Sequence, residues 1–202
     1  HRSCPTVSYA LRIAKSLLTV HNILSPPATR YVVYVEDHAA LHLAKALLNS
    51  SDRYLARQVE LIPVGGSGPL DGIGEKLDLQ WQKFIKHAVL YDGDQRTRLE
   101  KMSKSKKKLK HIFLPTHSDP DNLFKTIKGL PELLVEKLAS TPETVSDALD
   151  NVSGFDPHDW TNELGETFGK ERFLDTVAQL WVSQNENEAR DFTRQFRNAM
   201  RS

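Results

Sequence analysis

Apolar residues along this 202-residue chain follow two kinds of pattern, and the change between them falls near residue 119. Before it, short β-branched or aromatic runs alternate with segments whose apolar positions recur at helical spacing, which predicts strands alternating with helices. After it, every periodic segment has helical spacing. The predicted strands are 31–35, 59–64, 87–91 and 111–115. The predicted helices are 7–24, 39–48, 75–86, 119–128, 131–139, 142–151, 157–167, 170–184 and 187–200.

Strands that alternate with helices are typical of a parallel sheet covered by helices on both faces. We therefore expect an α/β fold, a Rossmann-like core with a parallel central sheet, followed by an all-helical carboxy-terminal extension. The expected divisions are a helical lead-in over 1–28, an α/β core over 29–117, and a helical subdomain over 118–202 that completes the functional site of the core.

Composition narrows the class of protein. With 39% hydrophobic and 26% charged residues, the chain has the make-up of a globular domain and not of a disordered, collagenous or disulfide-stapled one. No apolar run approaches the ~20 residues of a membrane span, so we expect no membrane contact. The single cysteine, Cys4, has no partner for an internal disulfide, which favours a cytoplasmic location. The chain begins with His1 and not Met, which suggests a fragment or a processed chain.

Polar residues follow three of the four predicted strands. Glu36 follows the first, the run 65–68 (GGSG) the second, and Asp92 and Asp94 the third. Because the carboxyl ends of parallel strands meet at one edge of a sheet, these acids are expected to converge there. Close carboxylates repel each other unless a cation lies among them, and oxygen ligands suit Mg²⁺ or Mn²⁺. The alternative is that each acid is a helix cap or a turn residue.

The ordered motifs VVYVED, PVGGSG and VLYDGD resemble the TOPRIM domain, which type II topoisomerases, primases and several nucleases share. The later segments IFLPTHSDPDNLFKTI and ETFGKERF are similar to the carboxy-terminal nuclease half of the OLD (overcoming lysogenization defect) family. This resemblance implies a TOPRIM-type core and a metal-dependent DNA endonuclease or nickase with a role in phage defence. It also implies a preceding ABC-type ATPase domain as partner, and it allows for a homo-oligomer. A topoisomerase- or primase-like strand-transfer unit is the alternative within this fold.

The same resemblance implies a set of site residues. Two divalent ions, Mg²⁺ or Mn²⁺, would be held by acidic and hydroxyl side chains, with a lysine to neutralise charge on the scissile phosphate. The implied metal ligands are Glu36, Asp92, Asp94, Ser118 and Asp121, and the implied catalytic residues are Glu36, Asp92, Asp94 and Lys170. The family often has a second acid four residues after the first glutamate, where this chain has Ala40. Either Asp37 substitutes for it, or one ion is held more loosely.

A basic stretch runs from Arg96 to Lys110, with eight Lys or Arg and a single acid, Glu100. Such a run is either an electrostatic contact for phosphate or a solvated loop. Within it, residues 101–105 spell KMSKS, a signature of class I aminoacyl-tRNA synthetases, but the companion H-x-G-H motif is absent. The lysines expected to contact DNA are Lys104, Lys106, Lys107, Lys108 and Lys110.

Other candidate sites are weaker. His38 and His42 are four residues apart on one predicted helix and form a candidate transition-metal pair, although a helix surface or core position is the commoner role. The three tryptophans fall in apolar helical patterns and are expected to be core residues; they are Trp81, Trp160 and Trp181. The rival to a nuclease is a non-catalytic nucleic-acid-binding or interaction module on a degenerate TOPRIM scaffold.

Overall fold

The computed structural model describes residues 31–76, 85–101, 109–115, 120–155 and 157–201. The predicted lead-in helix over 7–24, and Trp81, lie outside these residues. Within them, none of the helices is both long enough and apolar enough to span a membrane.

The described residues contain a four-stranded sheet in which all strands are parallel, as the sequence predicts. Its strands are β1 (Tyr31–Val35), β2 (Val59–Pro63), β3 (Lys86–Tyr91) and β4 (Lys110–Phe113), in the order β2-β1-β3-β4. Thus β1 and β3 are the inner pair, and Val35 lies opposite Leu90 in the register between them.

Helices follow the strands and then continue alone, which confirms an α/β core with an all-helical extension. The helices that belong to the strand region are α1 (His38–Ser51), α2 (Arg53–Ala56), α3 (Ser67–Lys76) and α4 (Arg96–Glu100). Those of the extension are α5 (Leu130–Leu138), α6 (Pro142–Val152), α7 (Pro157–Phe168), α8 (Lys170–Gln184) and α9 (Glu186–Arg201). Two 3₁₀ turns cover Gly93–Gln95 and Pro120–Thr126.

Successive side chains along each strand point to opposite faces of the sheet, and both faces are apolar. Val33 and Val35 of β1 join a core that continues through α1 and the helices of the extension. Val32 and Tyr34 point to the opposite side and join a second core with residues of α3 and α4. Both faces of the sheet are therefore buried, as a parallel sheet requires.

The extension is joined closely to the sheet. Helix α8 packs along α1, and α9 packs against β3, β4 and α1. The side-chain oxygen Oε1 of Gln195 accepts a hydrogen bond of 2.9 Å from the backbone N–H of Phe113, in the edge strand β4. Trp181 is buried in this core, as expected, and the half-buried Trp160 stacks on Phe124 with 5.0 Å between ring centroids.

The structure and the predicted elements differ in several places. Most of the helix predicted over 75–86 lies outside the described residues. Helix α3 begins at Ser67, in the segment expected to be a glycine turn, and Lys86 belongs to β3. Buried Leu70 and Ile73, three residues apart, hold that helix on the sheet. The segment predicted as a helix over 119–128 is a 3₁₀ turn over Pro120–Thr126, and α4 was not predicted at all, because its five residues lie within the basic stretch.

Candidate functional site

The site begins at the carboxyl edge of the inner strands. Glu36 directly follows β1 and Asp92 directly follows β3. Since Val35 and Leu90 are paired in the sheet, these two acids emerge at neighbouring positions of the same edge. The glycine turn after β2 reaches the same edge, because β2 is the other neighbour of β1. The convergence expected from the sequence is thus present in the fold.

The glycine turn is tied to the backbone of Glu36. The N–H groups of Gly65 and Gly66 both donate to the Glu36 carbonyl oxygen, at 2.9 and 2.8 Å. Their φ angles of 83° and 124° lie in the region that side chains disfavour, which explains the choice of glycine at both positions. Immediately afterwards, the N–H of Ser67 donates to the Glu36 carboxylate at the start of α3. The turn therefore fixes both the backbone and the side chain of Glu36.

The Glu36 carboxylate lies in an unfavourable environment for a negative charge. Burial raises its pKa, and the charges of Asp37 and Asp94 raise it further, against the opposing effects of the Ser67 N–H and the Arg98 guanidinium. Its oxygen Oε2 is buried and has no hydrogen-bond partner within the described structure. A buried carboxylate oxygen of this kind is costly unless a proton or a cation compensates it.

The two aspartates after β3 occupy different surroundings. Asp92 is half-buried, its Oδ1 is shielded from solvent, and it precedes the 3₁₀ turn Gly93–Gln95 without capping it through its side chain. Asp94 is exposed and accepts a hydrogen bond of 2.9 Å from the side-chain amide of Gln95. Because Asp94 influences the pKa of Glu36, its carboxylate lies within electrostatic reach of that group.

A second group of side chains beside these acids was not found by sequence reasoning. Arg98 of α4 donates to both carboxylate oxygens of Asp71 in α3, at 2.7 and 3.3 Å. The Tyr91 hydroxyl, at the end of β3, donates to the same carboxylate at 2.9 Å. Burial alone would raise the pKa of Asp71, but these hydrogen bonds outweigh it and hold the pKa below its ordinary value. No spacing in the sequence predicts the contacts among Arg98, Asp71 and Tyr91, because these residues lie in three separate elements.

Asp37, a candidate substitute for an acid at position 40, caps the helix that follows it. Its Oδ1 accepts a hydrogen bond of 2.8 Å from the N–H of Ala40, which makes it the N-cap of α1. Ala40 itself is buried in the core. The first turn of α1 therefore uses Asp37 to satisfy its own backbone and places a small apolar residue where the family often has an acid.

Lys170 begins α8, which packs along α1. Its ammonium group donates to the Asn162 side-chain oxygen at 2.9 Å. Its charge also reaches His42 of α1: burial lowers the pKa of that imidazole, and Lys170 lowers it further. The structure thus places Lys170 beside the helix that follows Glu36.

The other predicted site residues lie in β4, in a 3₁₀ turn or outside the described residues. Lys110 is exposed at the first position of β4, where it pairs with Ala88, which in turn pairs with Val33 in the middle of β1. Asp121 lies in the 3₁₀ turn Pro120–Thr126. The remaining predicted residues fall outside the described part of the chain; they are Ser118, Lys104, Lys106, Lys107 and Lys108.

Some observations speak against a metal ion at this site and others speak for one. Across the described ranges, no group of three His, Cys, Asp or Glu side chains is arranged to hold an ion. In favour of a cation are the orphaned, buried Oε2 of Glu36 and the carboxylate of Asp94 within its reach. Oxygen donors of this kind suit Mg²⁺ or Mn²⁺ rather than softer metals.

No protein-family model matches the chain, and no curated protein matches it. Its structure is similar to solved structures of the C-terminal region of the Xanthomonas campestris pv. campestris OLD protein. The structure phased with platinum is 18% identical, with a TM-score of 0.45, and the match covers 85% of this chain and 94% of that one. The structure phased with mercury is 17% identical, with a TM-score of 0.43 and coverage of 85% and 96%. These neighbours come from the family that the sequence motifs resemble.

Proposed function

We propose that this chain is a metal-dependent DNA nuclease of the TOPRIM type, the nuclease part of an OLD-family protein. The observation that carries the proposal is the Glu36 carboxylate, which has a buried, hydrogen-bond-free oxygen at the carboxyl edge of an inner strand. The glycine turn holds it there, and Asp92 and Asp94 follow the adjacent strand. A fold gains no stability from such an arrangement, whereas a site for a cation needs it.

The proposed division of labour follows from these positions. Glu36, Asp92 and Asp94 would hold divalent cations, which supply the charge needed to polarise a phosphodiester and to stabilise its leaving oxygen. Lys170 would neutralise negative charge on the phosphate after exchanging its hydrogen bond to Asn162 for the substrate. Cooperation with an ABC-type ATPase domain and a role in phage defence stay predictions of the resemblance.

The test is cleavage of supercoiled plasmid with Mg²⁺, Mn²⁺, Ca²⁺ or EDTA by the wild type, Glu36→Gln and Asp94→Asn. Asp147→Asn, an exposed acid on α6, is the matched control. We expect nicking that requires Mg²⁺ or Mn²⁺, a loss of at least ~100-fold in the two site variants, and no change in the control. Metal-dependent nicking that survives in Glu36→Gln would contradict the proposal.

The thermal stability of Glu36→Gln gives a second measurement on that variant. The raised pKa of Glu36 means that the folded state favours its protonated form. The stabilising contribution of Glu36 is therefore present below the pKa that it has in the unfolded chain. It is lost as the pH rises through the pKa that it has in the folded protein. At neutral pH, Glu36→Gln should unfold at a higher temperature than the wild type, measured by circular dichroism. A variant that loses cleavage while gaining stability cannot have lost activity by unfolding.

A second candidate function is a non-catalytic nucleic-acid-binding module on a degenerate TOPRIM scaffold. Two observations favour it: Ala40 stands where the family often has an acid, and no three-residue metal group is found among the described residues. Isothermal titration with Mn²⁺ separates the candidates. Binding that disappears in Glu36→Gln supports the nuclease, whereas salt-sensitive DNA binding without any Mn²⁺ binding supports the module.

A further inference from the structure

Arg98 is held more firmly than an ordinary surface arginine. Its Nε donates to the Gln95 side-chain oxygen at 2.7 Å, and its two terminal nitrogens donate to the two oxygens of Asp71. Asp71 is itself fixed by the hydroxyl of Tyr91, a residue that is 2% exposed. The guanidinium is therefore anchored through Asp71 and Tyr91 to β3, one residue before Asp92.

This anchoring leaves part of the guanidinium available to a ligand. An arginine side chain has five N–H donors, and each terminal nitrogen carries two of them. The bonds to Asp71 use one donor on each terminal nitrogen and leave the other. The Arg98 side chain is 43% exposed, so solvent or a ligand can reach it. An ion pair this exposed contributes little to stability, so stability alone does not account for so elaborate an anchor.

The charge of Arg98 also acts on the candidate site. Glu36 and Arg98 influence each other's pKa, which places the guanidinium within electrostatic reach of the Glu36 carboxylate. A phosphate that approaches Glu36 and Asp94 meets two negative charges, and a fixed cation beside them offsets that repulsion. Because the planar fork is already oriented, binding costs little additional side-chain entropy.

We propose that Arg98 is a phosphate-binding residue and that Asp71 and Tyr91 are the positioning residues that hold it against the carboxyl edge of the sheet. The ligand class is the phosphodiester backbone of a nucleic acid. This assignment rests on the proposed nuclease function, and it adds a contact residue that the family resemblance does not supply.

The test measures binding of a fluorescein-labelled DNA duplex by anisotropy, in EDTA so that no cleavage occurs, over a series of salt concentrations. Arg98→Gln is compared with the wild type and with Arg57→Gln. Arg57 is an exposed arginine that precedes β2 at the opposite edge of the sheet, which makes it a matched control. We expect Arg98→Gln to weaken binding by about 3- to 10-fold. We also expect the slope of log affinity against log salt concentration (the salt slope) to decrease in magnitude by about one, as loss of one phosphate contact should cause. Arg57→Gln should change neither. Equal losses in the two variants, or no loss in Arg98→Gln, would overturn the assignment.

Two further variants test the orienting role. Arg98→Lys keeps the charge but cannot form the fork, and Asp71→Asn keeps the arginine but weakens its anchor. Both should retain the wild-type salt slope and bind DNA more weakly. Wild-type affinity in Asp71→Asn would refute the role of Asp71, and wild-type affinity in Arg98→Lys would refute the role of the fork. Melting curves are recorded first, and if Arg98→Gln does not fold, Arg98→Lys and Asp71→Asn together decide: wild-type affinity in both overturns the proposal.

The two proposals fail in distinguishable ways. If the wild type does not cleave plasmid with any metal, the proposed function fails, while the binding series still decides whether Arg98 contacts phosphate. If the wild type cleaves and Arg98→Gln binds and cleaves normally, only the assignment of Arg98 fails.

Discussion

Two adjacent acids follow β1, and the structure gives them different surroundings. Asp37 caps α1 through its hydrogen bond to the N–H of Ala40, so its carboxylate is accounted for by the fold. Glu36, one residue earlier, keeps a buried oxygen for which the described structure provides no donor. The sequence places both acids at the end of a strand and leaves open which one is the cap.

His87 is a further residue whose environment differs from its ordinary one. It lies in β3 with 8% of its surface exposed, and its ring stacks on Tyr34 at 6.0 Å between centroids. Burial lowers its pKa from 6.5 to about 4, so the imidazole is neutral in the folded protein at pH 7. The contribution of neutral His87 to stability is therefore complete above the unfolded pKa and is lost as pH falls through the folded one.

When the pH falls from 7 to 5, we expect His87 to lower the free energy of unfolding by roughly 2 kcal/mol. Urea unfolding of the wild type and of His87→Gln at the two pH values measures it, with His38→Gln, an exposed histidine on α1, as control. The pH dependence should flatten in His87→Gln and persist in His38→Gln. An unchanged pH dependence in His87→Gln would show that other groups cause it.

At the scale of elements, hydrophobic pattern predicts most of this fold. The four strands and the five helices of the extension have the expected type and nearly the expected bounds. The sequence pattern does not indicate helix α3, because Gly68, Pro69, Gly72 and Gly74 suggest a loop, and only Leu70 and Ile73 indicate that one side is buried. The Arg98 anchor was missed for a different reason: it depends on α3, β3 and α4 meeting in space, and no pattern within one segment encodes that.

The turn between β2 and α3 gives a prediction about local strain. Gly66 has a φ of 124°, and a Cβ there would meet only Pro69 Cδ at an ordinary 3.9 Å, so the cost of Gly66→Ala is backbone strain and not a clash. We expect a loss of about 1–3 kcal/mol in unfolding free energy from urea titration. The matched control is Gly72→Ala within α3, where nothing lies within 4 Å of an added Cβ.

That control should be neutral or stabilising by up to about 1 kcal/mol, because alanine favours a helix over glycine. The contrary outcome, equal loss in both variants, would mean that α3 tolerates no added methyl group and that the turn is not specially strained.

Across the whole molecule, the sheet and the helical extension share one apolar core. Val33, Ile112 and Phe173 belong to the same cluster, although they lie in β1, β4 and α8. The division at 117/118 drawn from the sequence stays a prediction about organisation, but the two parts do not have separate cores on this face of the sheet. We therefore expect them to unfold together.

A pair of phenylalanine substitutions tests this expectation. Phe173 is fully buried and contacts the rings of Phe124 and Phe168, so Phe173→Ala should cost about 3–5 kcal/mol. Phe155 is 49% exposed, and Phe155→Ala should stay within about 0.5 kcal/mol of the wild type. Near- and far-ultraviolet circular dichroism should give coincident unfolding curves for Phe173→Ala. Two separated transitions would show that the extension unfolds independently.

The packing of α9 on β3 and β4 also bears on how the protein is made. A ribosome releases the strands and the acids that follow them long before it releases residues 186–201, which cover one face of the sheet and supply the Gln195 oxygen to Phe113. Until those residues emerge, that face of the sheet lacks Phe192 and Phe196. A nascent chain therefore cannot close this part of its core until α9 has been translated.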